Sequence, residues 1–166
     1  MPNIYLYTNG DPINGIDPTG LWTVQIGVNI EACYIGVCFG VAAGPVIGSD
    51  WSFAPLNLSA SVGVATQPGS LDLHFVGEYT NAESVDDLEG AEVYVGLGAG
   101  EAVTGNVDYF RGLADDGCGS YTYHGGRVGL GSGAGISPVE VHAGATVSAN
   151  PLRDLYVAIR DWIRAR

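Results

Sequence analysis

Lysine is absent from this 166-residue chain, methionine occurs once, and only six arginines stand against eighteen carboxylates, for a formal net charge of −12. Four of those arginines, Arg153, Arg160, Arg164 and Arg166, fall in the last 14 residues, leaving two arginines against sixteen carboxylates before them. Nonspecific nucleic-acid binding draws its affinity from cations that displace phosphate counterions, so a general DNA- or RNA-binding role is disfavoured. No stretch of about 18 apolar residues runs without a charge or a glycine cluster, which excludes a transmembrane helix. The N-terminus has no basic region followed by a long apolar run, so no secretory signal peptide is read there; the chain is expected in the cytoplasm until another machine delivers it to a target cell or the exterior.

Cysteine is scarce as well. Cys33 and Cys38 lie five apart and Cys118 sits in a glycine-rich loop. If 32–42 is one strand, Cys33 and Cys38 point to opposite faces, which leaves Cys118 with either one as the only reasonable disulfide. No zinc-like spacing occurs, and no cofactor is expected. The acidic run Glu83, Asp86, Asp87, Glu89 lacks the spacing of a calcium loop and reads as a solvated turn, so no metal is assigned. Gly96-Leu97-Gly98-Ala99-Gly100 lies in a strand pattern with no helix after it, which fails the context of a dinucleotide loop.

Glycine, by contrast, is abundant at 26 residues, without a three-residue register, and 46% of the chain is apolar. That combination folds, and it favours strands joined by tight turns. Alternation of period two marks them. In 24–30, Val24, Ile26, Val28 and Ile30 share one face and Gln25, Gly27 and Asn29 the other; similar runs follow at 34–43, 56–66, 71–79, 93–99, 103–110, 120–130 and 139–148. A Pro68-Gly69-Ser70 turn would join 56–66 to 71–79 as a hairpin, with Leu71, Leu73 and Phe75 inward and Asp72, His74 and Glu78 outward. Ser84 is placed to cap a single turn through Asp86, Asp87 and Leu88.

The fold class is therefore all-β: an antiparallel barrel or sandwich of about eight short strands, followed by one amphipathic helix over 151–165. In that helix Leu152, Leu155, Tyr156, Ile159, Trp162 and Ile163 share a stripe, the arginines line the other face, and Asn150 can cap the start. It either closes a barrel end or covers a sheet edge, or it meets an anionic membrane or an acidic partner.

Residues 3–21 combine Asn3, Tyr5, Tyr7, Asn9, Pro12 and Asn14 with Asp17-Pro18-Thr19-Gly20-Leu21. This segment resembles the closing signature of an Rhs/YD-repeat core. Such cores form a β-rich shell around a variable C-terminal tail, and the Asp-Pro-x-Gly-Leu element marks where the shell cleaves itself. The resemblance implies that residues 1–21 are a core-end remnant, that Asp17, Pro18, Gly20 and Leu21 belong to the cleavage motif, and that 22–166 is the carried effector domain. Self-cleavage needs a second acid and a shaped, excluded site that 21 residues do not supply. Asn81–Gly90 and Pro138–Gly144 are further similar to β-rich tails behind Rhs-type cores, classed as polymorphic toxins. The implied partners are the Rhs shell and a cognate immunity protein.

For chemistry inside the tail, His124, Arg127, Glu140 and His142 would approach one another if 120–130 and 139–148 pair as a hairpin, a set suited to acid–base hydrolysis. Exposed polar residues on an outer barrel face are the plainer reading, and whether the tail is an enzyme stays open. Three functions follow: an interbacterial effector of undetermined target, a non-enzymatic binding or structural barrel, or a membrane-active barrel. Charges within the strands and the lack of evident aromatic girdles weigh against the last.

Overall fold

The computed structural model describes residues 21–66, 69–82, 84–115, 120–135 and 139–164. The leader up to Gly20, with Asp17 and Pro18, lies outside them, as do Glu83 and Cys118; Leu21 is half-buried coil.

Eight strands form a closed antiparallel barrel: β1 (Thr23–Tyr34), β2 (Val37–Gly48), β3 (Phe53–Ala65), β4 (Gly69–Thr80), β5 (Gly90–Gly100), β6 (Val103–Asp115), β7 (Ser120–Gly135) and β8 (Val139–Ala149). A 3-10 turn, Val85–Leu88, precedes β5, and a helix, α1 (Pro151–Arg164), follows β8. The strands run 11 to 16 residues, longer than expected and about twice the length usual in globular sheets.

The order around the barrel is β1-β2-β3-β8-β5-β6-β7-β4. Each half is a three-stranded meander whose fourth strand returns to lie beside its first, 4-1-2-3 and then 8-5-6-7, two Greek keys in tandem. Two expected pairings are thereby corrected. β3 pairs with β2 and β8, not β4, so 56–66 and 71–79 are not a hairpin. β7 pairs with β4 and β6, and β8 with β3 and β5, so 120–130 and 139–148 do not pair either.

The hairpin between β1 and β2 turns at Ile35 and Gly36, both with positive φ (50° and 77°), the conformation a two-residue hairpin needs. The 32–42 segment is thus two strands, and Cys33 and Cys38 are direct cross-strand partners with Cα atoms 4.0 Å apart, bonded as a disulfide. This overturns the expectation that they cannot bridge.

The alternation is where expected, with the faces reversed. Leu71, Leu73 and Phe75 are 59%, 48% and 73% exposed, whereas Asp72, His74 and Glu78 are 8%, 7% and 7% exposed. Ile26, Val28 and Ile30 of β1, Val93, Val95 and Leu97 of β5, and Val141 and Val147 of β8 likewise face outward. Gln25, Asn57, Glu92, Asp108, His142 and Thr146 face in. Eight strands leave an interior just wide enough for side chains to fill, and here polar side chains fill most of it.

The main buried apolar cluster lies toward the end bearing the 3-10 turn and α1. There Val85, Leu88 and Ala82 sit on Val46, Ala54, Phe110, Ala114 and Tyr123 and stopper the barrel. Ser84 caps the turn as expected: its hydroxyl accepts from the Asp86 amide, and Asp87 Oδ2 accepts from the Ser84 amide at 2.7 Å. Arg153 of α1 pairs with Asp86, whose carboxyl partial burial raises above its ordinary value against the pull of that arginine. Asn150 caps α1 through its backbone carbonyl, while its buried side chain donates to the Val85 carbonyl. No residue of α1 is fully buried; Arg153, Val157 and Arg160 are half-buried and the rest of the helix is exposed.

Candidate functional site: the charged barrel interior

Because the strands pair in register, inward residues form rows around the wall. One row runs Gln25, Glu78, Arg127, Asp108, Gly96 and His142 over β1, β4, β7, β6, β5 and β8, each a Cα partner of the next. Arg127 Nε donates to Glu78 Oε2 at 2.8 Å, and its terminal nitrogens stand 3.9 Å from both Glu92 and Asp108. The guanidinium lies 5.3 Å from the centre of the Phe110 ring, within cation–π range. Glu92 in turn accepts from the Tyr123 hydroxyl at 2.8 Å.

His142 places Nε2 2.7 Å from Asp108 Oδ1 and Nδ1 3.0 Å from Glu140 Oε1. Only an imidazolium, with two N–H donors, satisfies both carboxylates. Nearer the end opposite α1, His74 bonds Thr104 at 2.7 Å. A cavity of about 50 Å³ lies beside the Arg127 cluster, lined by Arg127 and Asp108 together with Asp72, Tyr94, Glu140 and His142 among others. That volume holds water-sized guests, since about one probe sphere suffices for a water.

Glycine makes the crowding possible. A Cβ on Gly96 would overlap Asp108 Oδ1 and His142 Nε2, one on Gly98 would stand 2.9 Å from Glu140 Oε1, and one on Gly133 would overlap Asp72 Oδ1. Glycines on neighbouring strands thus make room for Asp72, Asp108, Glu140 and His142.

Of the four residues expected as a catalytic set, three meet inside: Arg127, Glu140 and His142, linked through Asp108. His124 does not join them. It is exposed on the outer face of β7, beside Tyr109 and opposite Arg111. Sequence reasoning missed Glu78, Glu92 and Asp108 because carboxylates in an alternating strand are ordinarily placed in solvent. Both His142 nitrogens are engaged by carboxylates, which leaves neither free to take a substrate proton. The network is suited to filling and cross-linking a polar interior.

Among the described residues, one trio of possible metal-ligand atoms clusters within 4.8 Å: Glu31, Cys33 and Cys38, whose sulfurs are bonded to each other. No helix among the described residues is long and apolar enough to cross a membrane. Comparison of the chain with family models, curated proteins and solved structures finds no match.

Proposed function

We propose that this chain is a membrane-embedded β-barrel, carried to its target as the effector tail of an Rhs-type protein. The observation that carries the membrane reading is the outward apolar belt on all eight strands, set around a charged interior. Ile26, Phe39, Val62, Phe75, Val95, Val107, Leu130 and Val141, one from each strand, are all exposed. Large contiguous apolar surface is rare on proteins that live in water, and this in-out arrangement suits lipid outside and polar groups within.

Other features support it. A membrane-crossing strand needs about 9–11 tilted residues, and each strand here has at least 11. The charges that interrupt the strand sequences fall almost wholly inside; among described outward side chains Arg111 and His124 are the basic exceptions, paired near the α1 end. Exposed Trp51, Phe53 and Tyr79 ring that same end, where girdle residues would meet headgroups. The exposed apolar stripe of α1, with Tyr156 and Trp162, fits a helix lying in the interface, its arginines toward anionic headgroups. The Cys33–Cys38 disulfide fits an oxidising compartment such as a cell envelope.

The Rhs part rests on the leader signature, and an enclosing shell would shield the apolar exterior before release. A cognate immunity protein would then protect the producing cell. With the α1 end stoppered and the centre ion-paired, the folded barrel is not an open channel.

The test is refolding the chain with phosphatidylethanolamine/phosphatidylglycerol vesicles, followed by protease protection and the migration of unheated samples on SDS gels. Protected, fast-migrating barrel is expected. Val95→Arg, at the centre of β5, should weaken insertion by about 2–4 kcal/mol. A chain that is monodisperse in plain buffer and indifferent to Val95→Arg would overturn the reading.

A further inference from the structure

At the end of the barrel opposite α1, sulfur stands beside a carboxyl. Cys33 and Cys38 are buried and bonded to each other just inside the Ile35–Gly36 turn. Glu31, two residues before Cys33 and on the same face of β1, places Oε1 3.7 Å from Cys33 Sγ. Gly40 lets it do so. This glycine is the cross-strand partner of Glu31 and lies two residues after Cys38, and a Cβ on it would stand 3.5 Å from Glu31 Oε2. The acid therefore leans across β2, toward the cysteine pair. The two sulfurs and an oxygen of Glu31 all lie within 4.8 Å of one another.

In the oxidised state this group is poorly matched. A disulfide sulfur has no proton to give, and Glu31 makes no other hydrogen bond among the described residues. Burial accordingly holds its carboxyl above the ordinary value, toward the neutral acid. Ser70, the cross-strand partner of Cys33 on β4, has a buried hydroxyl that also lacks a hydrogen bond. Buried polar groups without partners are costly, and they collect here beside two sulfurs.

We propose that, once the Cys33–Cys38 bond is reduced, Cys33, Cys38 and Glu31 bind one zinc-class ion, with water as the fourth ligand and the Ser70 hydroxyl as a hydrogen-bond partner for that water. Zinc takes thiolate sulfur at about 2.3 Å and carboxylate oxygen at about 2.0 Å, which sets such neighbours in a tetrahedral shell about 3.5 Å apart. Cys33 Sγ and Glu31 Oε1 already stand near that spacing, and the sulfurs need only part. Two thiolates select zinc over magnesium or calcium. A dithiol reductant supplies two electrons and two protons, leaves as its own disulfide, and converts the bond to two thiols. Zinc then displaces the thiol protons and that of Glu31 into water, so ligands that begin neutral are no obstacle and binding strengthens as pH rises. The metal is held where thiols stay reduced and released where the disulfide forms. The site does not depend on the membrane reading, since a barrel in water would present the same residues.

The experiment uses the full chain folded in detergent, reduced with dithiothreitol and freed of it by anaerobic desalting, with cobalt chloride as the probe. Thiolate-to-cobalt charge-transfer absorption is expected, saturating at one ion per chain, displaced by zinc chloride and not by magnesium chloride, and absent from the oxidised chain. Cys33→Ser and Cys38→Ser should each abolish the band, and Cys118→Ser should leave it unchanged. Glu31→Gln should keep the band, since both thiolates remain, and weaken cobalt binding at least tenfold. Circular dichroism of every sample reports whether the barrel is folded. The site is overturned by a band that survives Cys33→Ser or is lost in Cys118→Ser, by equal affinity in Glu31→Gln, by a folded, reduced chain without a band, or by a chain that loses its barrel on reduction. Vesicle insertion is read separately on the oxidised chain, so failure of the metal site leaves the membrane reading intact.

Discussion

Asp108 and His142 stand on strands that do not pair, β6 and β8, and meet at 2.7 Å over Gly96 of the strand between them. A glycine in the middle strand is what lets the two side chains lie across its backbone. The stretch Gly96–Gly100, which resembles a nucleotide loop only in its spacing, is a set of such clearances.

Gly96→Ala is therefore expected to cost about 3 kcal/mol, because the new methyl displaces both partners and also stands 2.9 Å from the Val107 carbonyl oxygen. Gly77 is the control. Nothing lies within 4 Å of its Cβ position, so Gly77→Ala should leave stability near the wild-type value. Urea unfolding of both variants in detergent checks the contrast, and equal destabilisation would show that the clearance over Gly96 is not what matters.

Removing the arginine at the centre should do more damage than removing any one of its carboxylates. Arg127→Ala leaves Glu78, Glu92 and Asp108 sharing a buried region without their cation, and about 3–5 kcal/mol of stability should be lost. Adding Glu78→Gln to Arg127→Ala should recover part of that loss. A double variant no more stable than Arg127→Ala would argue that the cost comes from lost packing against Phe110 instead.

The disulfide gives a count. With Cys33 bonded to Cys38, unfolded but unreduced protein should show one alkylatable thiol per chain, Cys118, and three after reduction. Reduction should lower stability only modestly, by about 1–3 kcal/mol, since the bond closes a short hairpin that the Ile35–Gly36 turn already holds. Mass spectrometry after iodoacetamide, with unfolding midpoints in and out of dithiothreitol, measures both.

Strand positions and the terminal helix were legible in the sequence because period two and period 3.6 are local properties. Which face looks inward was not. Leu71, Leu73 and Phe75 against Asp72, His74 and Glu78 make a clean alternation that fits a water-soluble barrel and an inverted one alike, and the ordinary cost of burying carboxylates pointed the wrong way. The signal that separates them is the company the charges keep. Asp72, Asp108, Glu140 and His142 each face a glycine on a neighbouring strand, the small-beside-large pattern of a filled interior, which a solvated face has no need of. Pairings depend on long-range closure, and so the apparent hairpins at 56–79 and 120–148 were misread. Arg127, Glu140 and His142 do come together, although through Asp108 and across strands that never touch. Cys33 and Cys38 could have been paired from the Ile35-Gly36 dipeptide between them, which marks a turn midway along what looked like one strand.

The Greek-key order also governs when the molecule can be completed. Each half leaves its third strand waiting for a partner from the other half, and β8 is the piece that joins β3 to β5, with Leu58 opposite Ala149 and Ala91 opposite Val147. Until the last strand is made, β3 and β5 are open edges flanked by apolar side chains. Such non-local pairing is slow to form and prone to sticking meanwhile. The barrel therefore cannot close before β8 exists, and its folding waits on the strand made last.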